Sequence, residues 1–219
     1  MEVSDVTVLS GSDIRQRLQE GNLDRRLVIA PLLEPSEQLR DDQCSIDVRL
    51  GFEFSLVSAS LYGMIDEFDP DTGSESKLKT LYRRQYVPLG RGIVIHPHQF
   101  ILATTLEYIR LPYDLMSYVV GRSTWGRLGL IVATAIGIHP LFAGSLTLEL
   151  RNLGETPLKL YPGEAIAQLF FHSTREEENA TSDIEAGLSQ YSGTVDMVPR
   201  RISSGITHSK LLKLRKKHG

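Results

Sequence analysis

The sequence predicts a mostly β, barrel-like fold with a short N-terminal helix and a few short helical turns. Three observations carry this. Short apolar runs recur at 86–89, 93–96, 100–109, 116–120, 131–136, 145–152, 156–160 and 165–172. Turn formers separate them: Pro88, Gly90, Gly92, Pro97, Pro112, Gly137, Pro140, Gly144, Gly154 and the Pro162-Gly163 pair. Two stretches alternate with the period of a strand, "SIDVRLGFEFSLV" at 45–57 and "GSLTLELRN" at 144–152. Many short strands at close spacing read as a sandwich or barrel rather than as helix-connected parallel strands.

The elements follow in chain order. "SGSDIRQRLQEG" at 10–21 predicts a helix capped by Ser12, with Ile14 and Leu18 four apart and Gly21 as its stop. Gly51 interrupts the long strand at 45–57 and predicts a bulge or bend. Residues 58–85 are polar, carry "DPDTG", and read as a surface excursion. After the strand series, "REEENATSDIEAGLSQ" at 175–190 reads as a polar link. Residues 1–200 are expected to form one domain and residues 201–219 a basic tail, with Lys210–His218 as its solvated end.

Composition narrows the chemistry. With 219 residues, 41% of them hydrophobic, the chain can bury one sizeable core. A net charge of -3 argues against a general nucleic-acid binder. No apolar run of 18 residues is present and the first residues lack a signal-peptide pattern, so a cytoplasmic protein without membrane contact is expected. The single cysteine, Cys44, removes the zinc signature of the His/Cys nucleobase deaminases. His96 and His98 share one side of a strand without an evident third ligand, so no protein-held metal is expected.

Two stretches point to chemistry. "GRSTWGRLGL" at 121–130 sets two arginines, two hydroxyls and three glycines inside the core-forming region. A helical turn starting at Arg122–Ser123 would offer amides, hydroxyls and guanidinium forks suited to phosphate oxygens. The competing reading is a capped surface turn with solvated arginines, with Trp125 packing beneath it. In the second stretch, Leu146, Leu148 and Leu150 alternate with Ser145, Thr147, Glu149 and Arg151. Glu149 therefore lies on the polar side of its strand. It is a general-base candidate if that side lines a cleft, and an exposed strand carboxylate otherwise.

The order of segments resembles the dCTP deaminase family of the dUTPase-like superfamily. The carriers are "LSGSDIRQRL", "CSIDVRLG", "ILATTLEYIRLP", "GRSTWGRLGL", "IHPLFAGSLTLELRN", "LYPGEAIAQLFF" and "QYSG", spanning roughly residues 8–200. The resemblance implies a dUTPase-like, β-clip fold and a homotrimer with sites between subunits. It implies a nucleoside triphosphate carrying Mg²⁺, and zinc-free deamination of cytosine. Position by position, Arg122, Ser123 and Thr124 would hold phosphates. Ser123 and Arg127 would place the water and the carboxylate, and Arg127 would keep Glu149, the base, ionised. Backbone groups of Thr147 and Leu148 would face the pyrimidine, Gln168 would contact the nucleotide, and Tyr191 would fold over it.

The chain also departs from that pattern. Ala135-Ile136-Gly137 replaces an Ala-His-Arg, one residue shorter, and His139 stands where an aspartate meets the sugar. Gln190 and Thr194 replace polar tail contacts. Deamination of dCTP or a related cytosine nucleotide is the leading expectation. A dUTP diphosphatase or bifunctional enzyme is the second, and a non-catalytic nucleotide-binding trimer the third.

Overall fold

A computed structural model describes residues 7–33, 35–57, 64, 75–134 and 137–174. The mostly β reading holds. Helix α1 spans Gly11–Leu18, with strand β1 at Val28–Ala30, a single turn α2 at Pro35–Gln38 and the long strand β2 at Ser45–Val57. Helix α3 at Glu75–Thr80 precedes β3 at Tyr82–Tyr86, β4 at Ile93–Ile95, β5 at Phe100–Arg110 and β6 at Leu115–Gly121. The turn α4 at Ser123–Gly126 leads into β7 at Leu130–Val132 and β8 at Gly137–Ile138. Strands β9 at Ala143–Asn152, β10 at Leu158–Leu160 and β11 at Ala165–Ser173 complete the described chain.

The main sheet runs in the order β7-β9-β5-β2-β11-β6-β8, with β1 added to β5 and β3 to β2. Its two end strands, β7 and β8, are consecutive in sequence. Gly121 of β6 lies so close to β7 that a Cβ there would stand 3.1 Å from the Val132 side chain. The sheet therefore curls towards closure and brings α4, between β6 and β7, to its rim. Inside lie Ile46, Val48, Leu50 and Phe54 of β2 with Ile101, Ala103, Leu148, Leu150, Leu169 and Phe171 from its neighbours. Burial of these side chains out of water is the main driving term for the fold.

Strand β2 is the spine. Its first half pairs with β11 and its second half with β5 and β3, and the pairing with β5 is irregular between Leu50 and Phe54. Gly51 sits in that gap. A Cβ there would stand 2.9 Å from the carbonyls of both Thr104 and Thr105, so the expected break arises because β5 passes too close for any side chain. Below the break, Glu107 is fully buried and accepts from Arg49 Nε at 2.7 Å and from the Arg49 amide at 2.8 Å. Gln38 also donates to it, at 3.2 Å. Such a pair must be saturated with donors to offset the cost of burying its charges.

Several expectations are corrected. The cap of α1 is Ser10, not Ser12. Ser10 Oγ accepts from the Asp13 amide at 3.2 Å while the Asp13 carboxylate accepts from the Ser10 amide at 2.9 Å. The reciprocal pair needs a spacing of three, which Ser10-x-x-Asp13 supplies. The helix ends at Leu18, before Gly21. The stretch read as an excursion contains α3 and β3. The strand expected at 86–89 lies instead at 82–86, because Arg83, Arg84 and Gln85 are polar on an edge strand that pairs only with β2. The strand expected at 131–136 stops at Val132. The polar link, the basic tail and Tyr191, Gln190 and Thr194 lie outside the described residues, as do Ala135 and Ile136.

Candidate active site

Alternation along β9 is as expected: Leu146, Leu148 and Leu150 are buried, and Ser145, Thr147 and Glu149 are half-buried on the opposite face. Burial raises the Glu149 carboxyl above its ordinary value. The backbone around it is specific. The Glu149 amide donates to Thr134 Oγ1 at 2.7 Å, and the Glu149 carbonyl accepts from the Ala133 amide at 2.7 Å. Both groups point towards the β7 side of β9. Backbone direction repeats every second residue, so the peptide groups of Thr147 point the same way, beyond the point where β7 ends. Leu148 points the other way, into its ladder with Ala103 of β5. Of the two backbones expected at the pyrimidine, that of Thr147 points to the β7 side of β9 and that of Leu148 is committed to the ladder with β5.

The stretch 121–130 forms the expected turn, with Arg122 as its N-cap. Ser123, Thr124 and Arg127 are exposed, and Trp125 packs beneath them with its indole N–H donating to the Ala165 carbonyl at 3.1 Å. Gly129 takes φ 93 and packs against Gly154, with its would-be Cβ 2.6 Å from that amide nitrogen, so this glycine is fixed by the fold. Among the described residues no ion pair or hydrogen bond joins Arg127 to Glu149 within one chain, and burial alone accounts for the raised carboxyl. The expected pairing that keeps the base ionised is thus not made inside a single chain, since Arg127 faces solvent at the rim. His139 is exposed, just after β8.

Three residues near these groups were not singled out from the sequence. Asp47 pairs with Arg122, its Oδ2 3.0 Å from Nη1, and accepts from Gln168 Nε2 at 3.0 Å. It thereby ties two expected nucleotide contacts together, and the signal was a lone carboxylate inside the apolar run "SIDVRL". Thr134 supports the Glu149 backbone. Tyr82 on β3 is half-buried; burial raises its phenol, and the negative charge of Glu149 raises it further, which puts it within electrostatic reach of the base.

The sequence profile of a family described as dCTP deaminase-like matches residues 8–174. The chain belongs to that family. This dCTP deaminase-like hydrolase is 37% identical over 169 residues to a protein named "dCTP deaminase, dUMP-forming" from Methanobrevibacter smithii, a match covering 77% of this chain and 81% of the relative. It is 37% identical over 196 residues to a "dCTP deaminase" from Natronomonas pharaonis, covering 89% and 94% of the two chains. Its fold resembles the crystal structure of 2'-deoxycytidine 5'-triphosphate deaminase from Agrobacterium tumefaciens, with a TM-score of 0.57 and 22% identity. That match covers 77% of this chain and 49% of the solved one, so the dCTP deaminase-like chain spans about half of that structure's length. Among its described residues no helix is long and apolar enough to cross a membrane.

Proposed function

We propose that the protein hydrolyses the 4-amino group of dCTP, releasing ammonia and dUTP, with Glu149 as general base. The observation that carries this reading is a half-buried carboxylate, its pKa raised by burial, on the polar face of β9 in a chain of this family. A carboxylate whose pKa lies above the ordinary value is a stronger base in its ionised form. Glu149 takes a proton from water and hydroxide adds at C4, while the proton passes to N3. The carboxylate then takes the proton of the new C4 hydroxyl and hands it to the amino nitrogen. The C4–N4 bond breaks, ammonia leaves with the second proton, and the C4 carbonyl forms. The Thr147 peptide, which points to the β7 side of β9, can hydrogen-bond the pyrimidine edge and fix its ring against Glu149.

Arg122, Ser123, Thr124 and Gln168 hold the triphosphate in this reading, and Ser123 and Arg127 position the water and the carboxylate, with Tyr191 closing over the nucleotide. The substrate brings Mg²⁺ on its phosphates. Among the described residues no cluster of three or more His, Cys, Asp or Glu side chains could hold a metal. Asp47, next to the phosphate-binding side chains, is already committed to Arg122 and Gln168. Val120, Leu128, Ile131 and Leu153 lie exposed around α4 and β7, which supports a homotrimer in which a neighbouring subunit covers them and brings its own groups to Glu149.

dUMP formation, named for the Methanobrevibacter relative, is the second reading. It requires water aimed at the α-phosphate, and an imidazole at His139 supplies no negative charge for that. The deciding test incubates the protein with cytosine and uracil nucleotides and Mg²⁺, reading ammonia and pyrophosphate together, with and without a zinc chelator. Ammonia from dCTP, insensitive to the chelator and lost without Mg²⁺, supports the reading. No ammonia from any cytosine nucleotide overturns it.

A further inference from the structure

Asp47 and Gln168 face each other directly across the β2–β11 ladder, and Gln168 faces Val120 across the β11–β6 ladder. Two residues beyond Val120 the chain turns into α4, where the Arg122 amide donates to the Ile166 carbonyl at 3.1 Å. Three strands thus converge on one carboxylate. Asp47 Oδ2 meets Arg122 Nη1 at 3.0 Å and Asp47 Oδ1 accepts from Gln168 Nε2 at 3.0 Å. The Asp47 side chain is 12% exposed and that of Arg122 is 32% exposed, so the carboxylate lies beneath and the guanidinium reaches the rim.

We propose that Asp47 is a positioning residue for phosphate recognition, holding Arg122 and Gln168 side by side so that they grip the triphosphate as a unit. The proposal rests on the triphosphate reading of this site. Donor counting supports it. Arg122 carries five N–H donors and gives one nitrogen to Asp47, while Gln168 keeps a second amide hydrogen and its carbonyl. Both therefore have hydrogen-bonding capacity left for phosphate oxygens after Asp47 has fixed their direction. Only a carboxylate can do this at position 47, because it accepts on both oxygens. An asparagine offers one oxygen and one NH₂, and the NH₂ would face a donor and release one arm.

The pair could instead be a plain structural ion pair, and the test separates the two. Asp47→Asn in the full-length enzyme is expected to weaken binding of inorganic tripolyphosphate with Mg²⁺ by about tenfold, the equivalent of one charge-assisted hydrogen bond. The KM for dCTP is expected to rise by a similar factor, with kcat within about threefold, because the reacting carbon lies at Glu149 and not here. Arg122→Ala and Gln168→Met, at the more exposed ends of the clamp, give a second measurement that does not depend on the fold of the Asp47 variant. Their effects on tripolyphosphate binding are expected to be non-additive, the double variant losing less than the product of the single losses. Tripolyphosphate bound by Asp47→Asn as tightly as by the wild type, losses that multiply, or no binding by the wild type would each overturn the proposal. Coupled binding in a protein that releases no ammonia would leave the clamp standing and sink the deaminase reading. Ammonia release with uncoupled arms would do the reverse.

Discussion

The Glu149 amide donates to the Thr134 hydroxyl at 2.7 Å, just past the end of β7 at Val132. One side chain thus continues the ladder where the strand itself has stopped, and the backbone under the candidate base is held on both sides. Removing the hydroxyl leaves that amide without a partner. Thr134→Val is expected to cost about 1–3 kcal/mol, the usual penalty for a part-buried donor left unsatisfied. Urea unfolding reads the stability, and kcat is expected to fall more than KM rises because the displaced group is the base. Unchanged kcat with full loss of stability would separate the hydroxyl from the chemistry.

Glu149→Gln keeps the shape and removes the base. Ammonia release is expected to fall by about 10²–10⁴-fold, with nucleotide affinity within about an order of magnitude. The sign of the stability effect follows from the raised carboxyl. A carboxyl with a folded pKa above its unfolded value binds protons more tightly when folded, so its contribution is favourable at low pH and is lost as pH rises through the folded value. The ionised form of Glu149 is therefore the less stable one in the fold, and at neutral pH the Gln variant should melt no lower than the wild type. That difference should vanish as the buffer is acidified below the carboxylate range. In the wild type, the acid limb of kcat/KM should lie above that of an ordinary glutamate. A Gln variant that melts lower at neutral pH would mean the carboxylate is held by a partner that favours its charge.

How much of this was legible beforehand depends on which physical signal each residue leaves. Period-two alternation identified β9 and the side on which Glu149 lies, because one face of that strand is buried and the other is not. Gly51 and Trp125 were legible for the same kind of reason: a missing side chain inside an apolar run, and a bulky one beside a turn. Asp47 was not, because the first half of β2 is buried on both faces and its alternation says nothing about orientation. Strand β3 is polar and leaves no hydrophobic period, so Tyr82 was lost with it. The Arg127–Glu149 pairing came from resemblance alone, and a single chain does not make it.

The buried pair of Arg49 and Glu107 predicts a large and local effect on stability. Glu107→Ala leaves a guanidinium, 10% exposed, without its carboxylate and takes an acceptor from Gln38. Removing one partner of a buried pair costs about 3–5 kcal/mol. The expected outcome is a much lower urea midpoint with a slope like that of the wild type. A loss under about 1 kcal/mol would mean that water reaches the Arg49 guanidinium.

Assembly bears on the same site. With Leu128 54% and Leu153 52% exposed beside α4, a neighbouring chain is expected to cover this face. Light scattering should give roughly three times the 24.5 kDa chain mass. Replacing both leucines by glutamate should shift the protein towards monomers and reduce kcat together with the assembly. A monomer at all concentrations with full turnover would place the whole site in one chain.

His139 is expected to decide the product. It follows β8 directly and is exposed, so its side chain can change without disturbing the core. A carboxylate there would accept from a sugar hydroxyl and carry the charge needed to orient a water towards the phosphates, whereas an imidazole brings no negative charge. The wild type is therefore expected to release ammonia from dCTP with no matching pyrophosphate. His139→Asp should gain pyrophosphate release from dUTP while ammonia release from dCTP stays within about tenfold, because Glu149 is untouched. Equal yields of pyrophosphate and ammonia from the wild type would make it a dUMP-forming enzyme like its Methanobrevibacter relative, and would show that another group does what the missing carboxylate was expected to do.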